Sequence, residues 1–230
     1  MSRRTLNQTE TRKNPATKFL EWKSNDKCFE YWDKSKTENV KVEVPFKFMF
    51  LEHFHTIKGW HDASSSRIFS NEVKFISKEP LKVKSFKGGD IAEGIYGEIR
   101  LNILDAGGKY HRSVYVVDTN GDIINLQLKG AVVAAYSDFL NENENAVEGA
   151  WCEIKTVTDH KKGATKYSTP DFTIGKAFTK AEMALANEKY LEIVSHFESV
   201  TAKPEVDVDN VEVKEPVLVD GDNDPDDLPF

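Results

Sequence analysis

Positions 40–51 of the chain read VKVEVPFKFMFL, and this segment decides the predicted fold. Apolar residues occupy every second position from Val42 to Phe50, and the charged residues Glu43 and Lys47 stand between them. Such alternation is typical of a β-strand with one buried face, because successive side chains of a strand project to opposite sides. We therefore expect a strand here and a mainly β protein around it.

The flanking sequence predicts more strands and two helices. Asn120-Gly121 is a hairpin signal between two apolar runs, and Lys161-Lys162-Gly163 forms a second turn of the same kind. Thr179 and Glu182 have the spacing of a capping box, which predicts a helix start. The further strands are expected at about 53–58, 68–76, 81–87, 91–104, 110–118, 123–129, 151–159 and 165–174, and the helices at 130–142 and from Thr179 to about Val200.

Acidic residues are concentrated at the end of the chain. The 230 residues carry a formal net charge of −7, but residues 201–230 alone contain ten acids and two lysines, a net of −8. The other 200 residues therefore carry +1, and phosphate binding requires only a local basic face. We assign residues 1–18 to a flexible basic N-terminal arm, 19–200 to a folded domain and 201–230 to a disordered acidic tail.

The composition favours a cytoplasmic protein without catalytic or cofactor chemistry. Cys28 and Cys152 are the two cysteines, no signal-like apolar stretch follows Met1, and no run approaches 18 apolar residues. We expect free thiols and no membrane segment. Gly-x-Ser-x-Gly, phosphate-binding Gly-x-x-x-x-Gly-Lys and His-Glu-x-x-His motifs are absent from the sequence, so we predict no enzyme. His53 and His55 would point to one side of a strand, but no cysteine adjoins them, and we predict no metal site.

The last nine residues, Asp222 to Phe230, join a run of carboxylates to the apolar hook Leu228-Pro229-Phe230. Such a tip can place Phe230 in a pocket of another protein while the carboxylates meet a basic rim. It closely resembles the C-terminal tip of bacterial and phage single-stranded DNA-binding proteins (SSBs). The resemblance implies binding of replication proteins (polymerase, helicase, primase or nuclease) by Asp224, Asp226, Asp227, Leu228, Pro229 and Phe230.

The resemblance also implies a function and a fold for the rest of the chain. The expected function is to coat and protect single-stranded DNA in replication, recombination or repair, in a phage version acting in the host bacterial cytoplasm. SSBs usually use the oligonucleotide-binding (OB) barrel, which has five strands, often with a helix between the third and fourth. The predicted strand count exceeds five, so we expect an OB-like barrel with insertions and one or two helices; a mixed β-sandwich also fits the pattern.

Single-stranded DNA needs cations for its phosphates and exposed aromatic rings on which its bases stack. Lys82, Lys84 and Phe86 share one face of a predicted strand, and Trp60 lies in a predicted polar loop. Arginines beside tyrosines add charge and a stacking plane. The full predicted set is Trp60, Arg67, Lys82, Lys84, Phe86, Arg100, Tyr110, Arg112 and the hairpin-tip residues Lys161, Lys162 and Lys166.

Two rival functions stay open at this point. An acidic-tailed adaptor or DNA mimic would bind proteins without touching nucleic acid. A metal-dependent nuclease would use scattered carboxylates such as Glu72 and Asp90, although no spacing singles these out. The sequence does not choose between DNA and RNA. The helix at 179–200 packs either on its own domain or on a second copy, so a homo-oligomer also stays open.

Overall fold

The computed structural model describes residues 13–201 and shows a mainly β protein with a mixed sheet and helices. A short 3-10 turn at Asp62–Ser64 follows the longest strand. The strands are β1 Lys18–Lys23, β2 Cys28–Asp33, β3 Glu38–Val42, β4 Phe46–His61, β5 Ser66–Ser70, β6 Leu81–Ser85, β7 Gly89–Gly94, β8 Gly108–Val117, β9 Ile123–Lys129, β10 Ala150–Lys162 and β11 Thr165–Ala177. The helices are α1 Tyr96–Asp105, α2 Ala131–Asn143 and α3 Lys180–Thr201.

The strands form one sheet in the order β3-β2-β1-β9-β8-β4-β5-β6-β7, and β10 pairs with both β4 and β11. The sheet is mixed because β1 runs parallel to β9, whereas the other pairs are antiparallel. Among the described strands, the terminal strands β3 and β7 do not pair with each other, so the sheet is not closed.

Strand β4 is the centre of the sheet. One of its edges pairs with β8 from Met49 to Gly59. Its other edge pairs with β10 near Phe48 and with β5 near Trp60. The alternating segment that opens the sequence analysis is two strands, since β3 ends at Val42 and β4 begins after Pro45, which has no N–H to donate to a sheet.

The back face of the sheet, as we call it, is covered by α1 and α2. Val132, Tyr136 and Phe139 of α2 pack against strand residues that include Phe48 and Leu126. Ile99 and Ile103 of α1 pack against Ile57, Ile68, Leu81 and Val83. Each helix buries one apolar stripe on this side, which makes the back face the larger part of the core.

The front face is the opposite side, and α3 covers part of it. Phe197 of α3 stacks on Phe54 with ring centroids 4.1 Å apart, and Ala186 and Ile193 join the same cluster. The predicted capping box is present: the Thr179 backbone N–H donates to Glu182 Oε2 at 2.7 Å, and the Glu182 backbone N–H donates to Thr179 Oγ1 at 3.3 Å. These hydrogen bonds satisfy N–H groups at the helix start.

The structure confirms several predicted elements and corrects others. The helix at 130–142, both hairpins and the helix from Thr179 are confirmed. The strand predicted at 91–104 was wrong, because β7 ends at Gly94 and helix α1 follows. The strand predicted at 68–76 ends at Ser70. Strand β1 begins at Lys18, within the segment assigned to the arm, and Ala16 is buried.

Both cysteines are buried free thiols, as expected. Burial raises the pKa of Cys152 to about 12, so its thiol stays protonated at neutral pH. No described helix combines the length and the apolar character that a membrane crossing needs. The acidic tail from residue 202 onward, with its predicted tip, and the first twelve residues of the arm lie outside the described residues.

Candidate nucleic-acid interface

A row of lysines interrupted by one phenylalanine crosses the front face. Lys58 on β4 pairs with Lys109 on β8 and with Phe69 on β5, and Phe69 pairs with Lys84 on β6. Residues paired directly across antiparallel strands project to the same face. We call Lys109, Lys58, Phe69 and Lys84 the lysine row. Since Ile57, Ile68 and Val83 pack on the back face, the row lies on the front face.

A second row adjoins the first at the next pairing position. Trp60 on β4 pairs with Arg67 on β5, and the Phe86 backbone N–H donates to the Arg67 carbonyl oxygen at 2.9 Å. Arg67 is exposed and Trp60 is half-buried. Phe69 is 45% exposed and Phe86 is 56% exposed, which leaves both rings accessible to a flat ligand. The two rows together present aromatic faces among cations.

Buried polar side chains of β8 and β9 orient one end of the lysine row. Lys58 Nζ donates to Gln127 Oε1, and the Gln127 amide donates to Asn125. Asn125 Nδ2 donates to Ser113 Oγ at 2.7 Å. Gln127, Asn125 and Ser113 are all buried, and each has a hydrogen-bond partner. This series of hydrogen bonds therefore holds the Lys58 ammonium group in place instead of leaving it on a mobile side chain.

Burial and charge act on the Lys58 region in opposite directions. Burial lowers the pKa of Lys58, while the carboxylates of Glu72 and Glu21 act to raise it. Burial acts to raise the pKa of Glu21, but the charges of Lys23, Lys129 and Lys58 outweigh it and the pKa is lowered. Buried ionisable groups keep their charge only where an opposite charge is close. Lys58 and Glu21 therefore belong to a group of opposite charges at this end of the row.

The outer lysines meet carboxylates of β7. Lys84 Nζ lies 3.3 Å from Asp90 and Lys82 Nζ lies 3.7 Å from Glu93. The lysine side chains of these pairs are about two-fifths exposed, at 38% and 40%. Exposed ion pairs of this kind contribute only about 0–1 kcal/mol, so a nucleic-acid phosphate can compete for these ammonium groups.

The structure brings together five of the residues predicted from the sequence. Trp60, Arg67, Lys82, Lys84 and Phe86 all lie on the front face of β4–β6 or directly beside it. The prediction of Trp60 in a polar loop was wrong, because β4 continues to His61 and Trp60 is a strand residue. Strand β6 has the predicted alternation, with Leu81, Val83 and Ser85 buried and Lys82 and Lys84 half-buried.

Three predicted residues lie on the opposite side of the sheet. Arg100 is exposed on α1, which packs on the back face. Tyr110 and Arg112 also project to the back face, where Tyr110 pairs with Ile57 and Arg112 with Leu128. They therefore do not share a face with the other five residues, because the even-numbered residues of β8 face the helices. His111 stands between them in the sequence and projects to the front face, and the sequence alone does not show which of these residues face the helices.

The predicted residues at the tip of the β10–β11 hairpin lie apart from the two rows. Lys161 and Lys166 line a cavity of about 480 Å³ together with Ser24 and Lys27 of the β1–β2 turn, and Lys162 pairs with Thr165 at the turn. His160 and Tyr167 stack beside it with centroids 4.8 Å apart. Strand β1 links this cavity to the front face, because Glu21 pairs with Gln127 and the strand ends just before Ser24.

Sequence reasoning missed three members of the lysine row. Lys58 and Lys109 have no local signal, since only the pairing of β4 with β8 brings them together. Phe69 had a signal: it stands two residues after Arg67 in a short alternating strand, so both must share a face. Within residues 13–201, no group of three or more His, Cys, Asp and Glu side chains is placed to hold a metal ion.

Comparison of the chain with protein-family models, with curated proteins and with solved structures finds no match in any of the three.

Proposed function

We propose that this protein binds single-stranded DNA across the front face and coats and protects it in DNA replication, recombination or repair. One observation carries the proposal: the exposed rings of Phe69 and Phe86 lie among Lys58, Lys84 and Arg67 on one face of the sheet. Each base stacked on an aromatic ring contributes about 1–3 kcal/mol, whatever the sequence. The cations beside the rings neutralise the phosphates that connect the bases.

The strand order supports an OB-like barrel with insertions. Strands β4, β8, β9, β10 and β11 pair in the order β9-β8-β4-β10-β11, and α2 lies between the third and fourth of them in chain order. Strands β5–β7 and α1 form an insertion after the first, and β1–β3 precede it. Strand β1 pairs with β9, and Ser24 after β1 bonds the Ser168 backbone N–H of β11. OB folds bind nucleic acid on the face of their second and third strands and on adjoining loops.

In this arrangement the DNA-binding surface continues onto the hairpin tip. The second and third OB strands are β8 and β9, which carry Lys109 and the Gln127 partner of Lys58 on the front face. The turn between the fourth and fifth is the tip with Lys161, Lys162 and Lys166. A strand of DNA running along the lysine row would reach this tip at the end of β1.

The acidic tail would recruit other replication proteins. Its tip, with Asp224, Asp226, Asp227, Leu228, Pro229 and Phe230, resembles that of SSBs, and a partner pocket for Phe230 with a basic rim fits its chemistry. A pull-down from bacterial extract with the full-length chain should capture such proteins. A chain that ends at Asp227 should capture none, and equal capture by both would contradict the proposed role of the tip.

The DNA-binding proposal is tested by fluorescence anisotropy of a labelled oligo(dT) of about 30 nucleotides against the full-length chain. We expect tight binding to the single strand, little to a duplex of equal length, and an affinity that falls as salt rises. Strand cleavage on adding magnesium would indicate the nuclease instead. Absence of binding at low salt, also after removal of residues 201–230, would reject the proposal and leave the adaptor.

A further inference from the structure

A cluster of polar side chains lies on the back face, away from the proposed DNA-binding surface. His55 on β4 pairs across the sheet with Arg112 on β8. The His53 ring meets the Tyr136 ring of α2 edge-on with centroids 6.2 Å apart, and it lies 6.3 Å from the His55 ring. His55 Nδ1 lies 2.5 Å from Tyr110 Oη. We call His53, His55, Tyr110, Arg112 and Tyr136 the Arg112 cluster.

Arg112 brings a positive charge into this cluster without a carboxylate to match it. Its Nε donates to Tyr110 Oη at 3.3 Å, and no ion pair joins its guanidinium to a carboxylate among residues 13–201. Glu52 interacts electrostatically with Tyr136, but its carboxylate is bonded to Lys74 at 2.6 Å. A half-buried guanidinium without a counter-charge is unfavourable for folding.

The two imidazoles add no further charge to the cluster. Burial, followed by the charge of Arg112, lowers the pKa of His53 and of His55 to about 4. Both rings are therefore neutral at pH 7, and the cluster carries one net positive charge from Arg112. The groups that face the rings from neighbouring elements are Tyr110, Tyr136 and the Lys74–Glu52 pair.

Two buried polar atoms of the cluster have no hydrogen-bond partner in the protein. They are Tyr136 Oη, on a side chain that is 1% exposed, and His53 Nδ1. The Tyr136 ring lies against His53, and Arg112 pairs with His55 two residues further along the same strand, so the hydroxyl and the guanidinium belong to neighbouring positions of the back face. An unsatisfied buried polar group destabilises a fold by about 1–3 kcal/mol. Two such groups beside an uncompensated cation point to a ligand.

We propose that the Arg112 cluster binds one oxyanion, the carboxylate or phosphate group of a small molecule. The guanidinium and the Tyr136 hydroxyl donate hydrogen bonds to its oxygens, and His53 donates a third from Nδ1. Phe50, whose ring centroid lies 6.0 Å from that of His53, and Tyr110 provide an apolar wall that strengthens these bonds. The site lies on the face opposite the lysine row, so it does not depend on the proposed DNA binding.

The experiment uses the full-length protein at pH 7 with sodium phosphate, sodium acetate and sodium chloride at matched ionic strength. Thermal unfolding and the ring proton signals of His53 and His55 are followed against concentration. We expect phosphate or acetate, but not chloride, to raise the Tm and to shift both ring signals saturably. The anion that saturates at lower concentration identifies the phosphate or the carboxylate as the preferred group.

Variants separate binding at this site from general effects of salt. Arg112→Met should lose the saturable response to both anions and keep the oligo(dT) affinity of the natural chain, while Arg67→Met should keep the anion response. Tyr136→Phe removes only the unpartnered hydroxyl, so it should fold and bind the anion about 2- to 12-fold more weakly, as loss of one hydrogen bond predicts. If Arg112→Met does not fold, the comparison of Tyr136→Phe with the natural chain tests the proposal by itself. Equal responses of the natural chain and Tyr136→Phe, or no response of the natural chain, would overturn the proposal.

Discussion

The front and back faces of β5 and β6 are built from the same two strands but have opposite chemistry. On the back face Ile68, Leu81 and Val83 are at most 2% exposed. On the front face the neighbouring positions carry Phe69 and Lys84, which a ligand can reach. Strand alternation thus lets one segment hold the fold with one set of side chains and carry the proposed binding surface with the other. Substitutions on the two faces should have separable effects.

The largest expected effect belongs to the back face. Leu81→Ala removes a fully buried side chain from the cluster under α1 and should lower the free energy of unfolding by about 2–5 kcal/mol. Urea unfolding measures this change. The matched control is Lys82→Ala at the next position, which should alter stability by less than about 0.5 kcal/mol. A large loss in the control would show that the front face is also structural.

On the front face, the aromatic rings should dominate binding. Phe69→Ala and Phe86→Ala should each weaken oligo(dT) binding by about 1–3 kcal/mol, because a stacked base loses its ring. Phe75→Ala is the control, since Phe75 is 53% exposed but lies in the loop between β5 and β6. Anisotropy titrations give the three dissociation constants. Equal losses in all three variants would show that the effect is not specific to the two rows.

Two exposed arginines test the same comparison through charge. Arg67→Ala should weaken binding and reduce the slope of log affinity against log salt by about 0.7, the value for one lost phosphate contact of a single strand. Arg100→Ala, on the back of α1, should change neither quantity. Titrations at four or more salt concentrations provide both slopes. An equal change of affinity and slope in Arg100→Ala would indicate that nucleic acid binds at the back face, which would contradict the proposal.

The smallest effect concerns the part of the front face that α3 covers. Hydrogen bonds from the Thr179 backbone and hydroxyl and from the Trp151 indole lower the pKa of Glu182 to about 2. Because the folded-state pKa lies below the ordinary 4.5, the cap is intact above about pH 4.5 and is lost as the pH falls toward 2. The Trp151 indole N–H signal should therefore move with a midpoint near 2. In Glu182→Gln it should not titrate, and a midpoint near 4.5 in the natural chain would contradict the cap.

The sequence predicted the local features of the fold better than its pairings. The Asn-Gly hairpin, the helix after Gly130 and the Thr179 capping box each depend on residues close together in the chain, and all three are confirmed. The run 91–104 was misread because its apolar residues fit either period over so short a length, and packing on the back face decided for a helix. Alternation placed Lys82, Lys84 and Phe86 correctly on one side.

The full candidate surface could not be predicted from the sequence, and the reason is physical. Lys58 and Lys109 meet only because β4 and β8 pair, and the separation of Arg112 from Arg67 depends on which side the helices cover. Such information lies in long-range packing, which no local pattern encodes. The acidic tip is the reverse case, since its chemistry is legible from the sequence and its residues lie outside the described part of the chain.

The parallel pairing of β1 with β9 has a consequence for synthesis of the chain. Thr17 bonds to Ile123 across 106 residues, and β4 acquires its β10 partner only after another long segment. A ribosome therefore releases β1 and β4 well before their distant partners β9 and β10 exist. Topologies dominated by distant contacts also fold slowly, since loop closure must precede the stabilising contacts. During this interval the nascent N-terminal half would expose apolar strands such as β4, and exposed unpaired strands of this kind are prone to aggregation.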